Sequence, residues 1–480
     1  MLKLYNSFSK KKEVFKSLKD KIVKMYNCGP TVYDKVHLGN LRTFLFADIL
    51  RRYLEYKGYK VKQIMNITDV GHLTEDELER GIDKIEAKAR KEKKSPYEIT
   101  RYYEKLFFED LKELNIKKAF KYPRATDHIK EMIEIIKKLL KKGLAYEVKG
   151  SVYFEVTKFK DYGKLSGNTL RKLKIGARVE PHPDKKNPWD FALWIEDPNH
   201  LLYWKSPWGK HGHPGWHIEC SAMGMKYLGK TIDIHTGGED NIFPHHEAEI
   251  AQSEGATGKK FVNYWLHTKH LLVNNKKMAK RFRNFYTLKD LLKKGYSPQA
   301  IRYLLISASY RAQLNFTFKG LKGAEKTLNK LKEFILKFKN SECICVSKKK
   351  KAKEKIDNLI KKVKKNFEKS MDDDLNTPKA LAHIFDFIRE INKIKEIGKG
   401  EEKKIYKTIL DFDKVFGLNL DKIKMEIKIP LEIKRLIEER EKARKLGDWK
   451  KADEIRGKLK EKNIEIQDTP FGSKIQIKSA

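Results

Sequence analysis

The stretch from Ile22 to Asp69 constrains the fold more tightly than any other part of the chain. Apolar residues run from Ile22 to Cys28 and halt at Gly29-Pro30. From Leu41 to Leu54 they recur at helical spacing, at Leu41, Leu45, Ile49 and Tyr53, and a second buried run from Tyr59 to Ile67 ends at Thr68-Asp69. Strand, loop, helix and strand in that order predict a parallel α/β sheet. Ligands to such sheets sit beyond the carboxyl ends of the strands, where Cys28 and Thr68 both fall.

Residues 75 to 142 carry charged amphipathic helices, and residues 143 to 215 carry short strands with Trp, Pro and Gly, which predicts an insertion before the sheet resumes at Thr231 to Thr236. After Tyr286 the pattern turns almost wholly helical. The lysine-rich stretch Lys348 to Lys365 lies between apolar-periodic segments and marks a second domain from about residue 346. Ile464 to Ile477 alternates like a small hairpin around Pro470-Phe471-Gly472-Ser473. A chain of 480 residues suits about three domains.

Lysine and arginine number 105 against 65 acidic residues, a difference of +40 with a pI near 9.7. That balance favours a polyanionic partner such as nucleic acid. Lys beside Glu at helical spacing, as from Glu432 to Lys445, also describes a solvated helix face. Four cysteines, Cys28, Cys220, Cys343 and Cys345, are too few for a disulfide framework and fit a reducing cytosol. The first residues lack the apolar core of a signal peptide, and no run approaches the roughly 18 apolar residues needed to span a bilayer. The expectation is a cytoplasmic protein with no membrane partner.

Two cysteines stand at conspicuous places, Cys28 at a strand end and Cys220 in Gly-Trp-His-Ile-Glu-Cys. A third segment, Phe-Pro-His-His-Glu-Ala-Glu, reads as helical with Pro244 in its first turn, so His245 and Glu249 share a face. Two thiolates, an imidazole and a carboxylate are zinc chemistry. His246 and Glu247 are rival ligands by spacing, and both cysteines also fit as small buried hydrophobes. Between the first strand and its helix, His37-Leu-Gly39-Asn40 sits where backbone amides and the helix dipole attract phosphate. Gly237-Gly238-Glu239-Asp240 follows a strand and offers bare backbone to an adenosine, and Lys276 to Arg281 forms a basic loop.

Taken in order, strand-Cys28, His37-Leu-Gly-Asn40, Trp216-His-Ile-Glu-Cys220, His235-Thr-Gly-Gly-Glu-Asp240, His245-His-Glu-Ala-Glu249 and Lys277-Met-Ala-Lys280 resemble the cysteinyl-tRNA synthetase family. Met371 to Ala380 and the tail residues Arg444 to Trp449, Ala452-Asp453 and Asp468-Thr-Pro470 extend the resemblance from about Tyr26 to the end. It implies a Rossmann-like catalytic domain in two halves, 1–110 and 216–345, around a connective insertion at 111–215. An α-helical anticodon-binding bundle at 346–430 and a small α+β tRNA-binding tail at 431–480 complete the expected plan. Two signatures depart from the family: Asn40 takes the usual final His position, and Ala279 and Arg281 replace both serines of the second.

The implied reaction joins cysteine to tRNA(Cys) through a cysteinyl-adenylate made from ATP, with one zinc per chain held by Cys28, Cys220, His245 and Glu249, and Mg²⁺ accompanying ATP. By the same resemblance, His37, Asn40, Lys277 and Lys280 are catalytic. ATP falls to His37, Gly39, Asn40, Gly237, Gly238, Asp240 and Lys280. Cysteine falls to Cys28, Thr68, Trp216, His235 and Asp240, although Trp216 and Thr68 also fit as core and cap residues. A monomer is expected. Two rivals share some of these motifs, a cysteine ligase acting on an amino sugar and a noncatalytic zinc-containing RNA-binding protein.

Overall fold

Burial of apolar strands between helices places the first sheet. The computed structural model describes residues 1–75, 80–168, 183–278, 282, 284–339, 350–423, 431–461, 464–469 and 472–477. Strand β1 (Ile22–Asn27) runs into helix α1 (Leu38–Tyr56), which returns the chain to strand β2 (Lys60–Met65), paired parallel to β1 from Ile22 with Lys60 to Asn27 with Met65. All four residues marked by helical spacing in α1 are buried, and so are Arg42, Asp48 and Arg52, so the helix is enclosed on more than one face.

Helices α2 (Lys84–Glu92), α3 (Pro96–Glu113) and α4 (Ile129–Lys141) follow, and then the insertion builds its own antiparallel sheet from β3 (Ala145–Val148), β4 (Ser151–Phe154), β5 (Phe191–Glu196) and β6 (Gly212–Pro214), ordered β6-β5-β4-β3. The chain rejoins the first sheet through α5 (Ile218–Leu228), β7 (Ile232–Gly238), α6 (His245–Thr257) and β8 (Val262–Thr268). The order is β8-β7-β1-β2, with every neighbour parallel. The connections leave β1 and β7 in opposite directions across the sheet. A crevice therefore opens beyond their carboxyl ends.

Two short hairpins, Lys3–Asn6 with Lys11–Val14 and Leu73–Glu75 with Arg80–Asp83, were not legible in the sequence. Their residues are largely charged and too few to show an alternating pattern. Beyond β8 comes a small sheet of β9 (Leu271–Val273), β10 (Lys276–Lys277) and β11 (Leu314–Phe316). The helical region comprises α7 (Leu288–Lys293), α8 (Pro298–Ile306), α9 (Phe318–Lys339), α10 (Lys350–Asp372), α11 (Thr377–Asn392) and α12 (Lys399–Phe416). Cys343 and Cys345 lie outside the described residues.

Met1–Lys422 forms one compact unit and Ile423–Ala480 another. The second pairs α13 (Leu431–Lys445) with α14 (Trp449–Glu461) over Ile433, Ile455 and Leu459, and its antiparallel strands β12 (Ile464–Thr469) and β13 (Gly472–Ile477) form the expected hairpin. The Pro470-Phe471 turn is outside the described residues. Among the described residues no helix is long and apolar enough to cross a membrane.

Candidate active site

Cys28 directly follows β1, and its amide donates to Thr236 O of β7 at 3.0 Å, which fixes the thiol at the switch point of the sheet. The next residue has to be small, because a Cβ on Gly29 would stand 1.7 Å from Asn66 O. Cys220 lies in the first turn of α5, and one turn of α6 brings His245 Nε2 to 3.1 Å from Glu249 Oε1. The four donor atoms of Cys28, Cys220, His245 and Glu249 lie within 4.8 Å of one another, and all four residues are buried.

The surroundings orient this set. His217 Nδ1 lies 3.0 Å from His245 Nδ1, and His235 Nε2 holds Glu249 Oε2 at 2.9 Å. Among the described residues Glu249 Oε1 has no hydrogen-bond partner. With the His245 proton on Nδ1, Nε2 and Oε1 are two lone-pair atoms facing each other, an arrangement that a cation satisfies. Burial pushes both thiols up, Cys220 most strongly, and raises Glu249 as well, while it drives His245 well below the usual imidazole range. A neutral imidazole is the ligand form, and a divalent ion would supply the charge that two thiolates and a carboxylate need.

Glu247 separates from the other candidates here. Glu247 spends both oxygens on the backbone amides of Gly163 (2.9 Å) and Ser166 (2.8 Å). His246 belongs to an overlapping group with Cys28, His235 and Glu249, but its Nε2 lies 3.1 Å from Cys28 Sγ and its Nδ1 is engaged by His267 at 2.7 Å. The two overlapping groups share Cys28 and Glu249.

An open cleft of about 1200 Å³ adjoins Cys28 and is lined by His37, Gly39, Asn40, Trp216, Gly238, Asp240 and Lys277, among others. Eight expected residues therefore share one space. Trp216 stacks on the His245 ring at 4.4 Å. Thr68 and His235 lie behind the wall: the Thr68 hydroxyl donates to Glu219 at 2.7 Å, and His235 is fully buried against Glu249. Gly237 packs toward His246, whose Cε1 a Cβ there would meet at 2.7 Å. Lys280, like Ala279 and Arg281, is outside the described residues.

His37 caps α1. Its Nδ1 accepts from the amides of Gly39 (3.0 Å) and Asn40 (3.2 Å), and Asn40 Oδ1 accepts from the His37 amide (3.2 Å). The Leu38 amide is taken by Tyr286 O. The first amides of α1 are therefore already satisfied, contrary to the expectation that they would meet phosphate. What the helix end offers is its dipole, the Nε2–H of His37 and the amide group of Asn40.

Sequence reasoning missed several supports. Arg42 donates to four backbone carbonyls, at Lys269, His270, Ser309 and Ala312, and so pins the segment entering the basic hairpin to α1. Glu239 accepts from the His270 amide at 2.7 Å and pairs with Lys269. Thr31 and His72 also line the cleft. No spacing flags such residues, since their partners lie on distant segments.

Residues 14–326 match the family described as tRNA synthetases class I (C) catalytic domain, and residues 366–421 match the DALR domain. A cysteine–tRNA ligase of Caldicellulosiruptor saccharolyticus is 43% identical over 478 residues, covering 99% of each chain. Two solved structures of Mycobacterium tuberculosis methionyl-tRNA synthetase with methionyl-adenylate share the fold at 12% identity, with TM-scores of 0.59 and 0.58, over 83% and 82% of this chain and 90% of theirs. With the catalytic-domain match over most of its length and a relative so similar from end to end, this chain belongs to the cysteinyl-tRNA synthetase family of class I aminoacyl-tRNA synthetases.

Proposed function

We propose that the chain activates cysteine with ATP and transfers the cysteinyl group to the 3′-terminal ribose of tRNA(Cys), with one zinc ion at Cys28, Cys220, His245 and Glu249 selecting the substrate. One observation carries this most: two thiols, an imidazole nitrogen and a carboxylate oxygen converge within 4.8 Å beside the cleft that His37, Asn40, Asp240 and Lys277 line. A bound zinc ion lowers the pKa of a thiol and takes it as thiolate, whereas a serine hydroxyl stays protonated and is a far poorer ligand.

A carboxylate oxygen of cysteine attacks the α-phosphorus of ATP, the bond from that phosphorus to the oxygen bridging the β-phosphate breaks, and pyrophosphate leaves; Mg²⁺, brought in with ATP, would screen the triphosphate charge. A ribose hydroxyl of tRNA then attacks the acyl carbon, the bond from that carbon to the AMP phosphate oxygen breaks, and the hydroxyl proton passes to the phosphate of the departing AMP. No side-chain nucleophile takes part, so the protein works by positioning and charge. His37 and Asn40 donate to oxygens of the reacting phosphate, Lys277 and Lys280 oppose charge on the leaving pyrophosphate, and Gly39, Gly237, Gly238 and Asp240 serve the nucleotide. Trp216 and Asp240 border the bound cysteine, while Thr68 and His235 act one layer behind through Glu219 and Glu249. Helices within 346–430 and the tail at 431–480 take the tRNA, and the enzyme works as a cytoplasmic monomer. The DALR match speaks against the amino-sugar alternative.

Cys220→Ala tests the reading. Loss of bound zinc and of cysteine-dependent ATP–pyrophosphate exchange, with ATP binding kept, is the expected result; normal exchange in that variant would refute the metal's role.

A further inference from the structure

His72 sits in the wall of the cleft. The indole of Trp216 stacks with two imidazoles, the His245 ring at 4.4 Å with 20° between planes and the His72 ring at 4.6 Å with 11°. His72 is itself tied down, its Nδ1 lying 2.6 Å from Thr31 Oγ1. Cys28, Thr31, His72 and Trp216 line the same cleft.

The backbones that bring His72 and Trp216 together are clamped by a buried polar cluster outside the catalytic machinery. Asp83 Oδ2 accepts from the Gly71 amide at 2.7 Å, and its Oδ1 caps α2 through the Ile85 and Glu86 amides. The same Oδ2 lies 3.5 Å from His200 Nε2, and Glu86 Oε1 lies 3.1 Å from His200 Nδ1. The His200 ring stacks on His213 at 4.0 Å, three residues before Trp216. Gly71 has φ +73°, and a Cβ there would stand 2.5 Å from Pro214 O, so the segments 70–72 and 213–216 approach as closely as backbones can. Asp83 thus holds one segment by its amide and the other by way of two imidazoles.

We infer that His72 is a positioning residue for the cysteine pocket: it clamps Trp216 against the metal-site imidazole of His245, so that the wall facing the substrate thiol is set before cysteine arrives. This rests on the proposed function. A side chain held in place beforehand costs no ordering when the ligand binds, so the clamp acts on cysteine affinity rather than on the chemical step. Neither His72 nor Trp216 is among the residues proposed to serve ATP, so the clamp should leave ATP binding unchanged.

The test is steady-state ATP–pyrophosphate exchange on the full-length, zinc-loaded protein. His72→Ala should raise KM for cysteine on the order of five- to tenfold, about the worth of one aromatic stack, with kcat and KM for ATP within about twofold and zinc content unchanged. His72→Phe, which restores a flat ring, should bring KM for cysteine back to within about threefold of the original. Thr31→Val, which unties the imidazole, should move KM in the same direction by a smaller factor, and it carries the test if His72→Ala does not fold. The inference is overturned if cysteine KM is unmoved in His72→Ala and Thr31→Val, if ATP KM rises equally, if zinc is lost, or if His72→Asn rescues and His72→Phe does not. Absence of cysteine-dependent exchange in the unsubstituted protein would instead sink the proposed function.

Discussion

Glu249 uses its two carboxylate oxygens unequally, one held by His235 and the other facing His245 Nε2 across 3.1 Å. A partner that orients a metal ligand contributes to affinity without touching the ion. His235→Ala should therefore weaken zinc about 10- to 100-fold without abolishing binding, measured by competition with a chelator; unchanged affinity would mean that His235 does not orient Glu249. The four-residue spacing of His245 and Glu249 was legible because one helical turn puts both on one face. What spacing left open was the choice among His245, His246 and Glu247. Glu247 is set apart by Gly163 and Ser166, and His246 has His267 as a neighbour, contacts that are distant in sequence and visible only once the chain is folded. Thr68 and His235 were likewise picked out by motif, but only the fold places them behind the wall.

The strand, helix and strand of the opening were legible because their apolar runs are long and punctuated by Gly29-Pro30 and Thr68-Asp69. Helix α1 holds more than its apolar face announced. Arg302 of α8 is buried and donates to Asp48 of α1 at 2.6 Å, to Phe416 O at the end of α12 and to Leu114 O at the end of α3. Arg52 of α1 adds a bond to Lys414 O. Buried arginines read from sequence as surface charge, so this junction was invisible. It also means that α12 closes over α1, and a cut before α10 would take Phe416 O from Arg302 and Lys414 O from Arg52, leaving Asp48 and Leu114 O as partners of Arg302. Arg302→Ala, which removes one partner of a buried pair, should destabilise the protein by about 3 kcal/mol in urea unfolding. A loss below about 1 kcal/mol would show that the junction tolerates separation.

For the whole molecule, an excess of 40 positive charges calls for a polyanion, and tRNA binding through phosphates should weaken steeply with salt. Raising salt from 50 to 200 mM should increase KM for tRNA at least tenfold, while KM for cysteine in pyrophosphate exchange changes by less than about twofold. A flat tRNA response would detach the lysine excess from RNA binding. Selectivity, by contrast, is local under the proposed function and lies in four buried atoms between β1, α5 and α6. X-ray absorption at the zinc edge of the purified protein examines those atoms most directly. Two sulfur neighbours are predicted in the protein alone and three once cysteine is bound, with no change on adding serine. Fewer than two sulfurs, or a shell indifferent to cysteine, would contradict a zinc centre that recognises the thiolate.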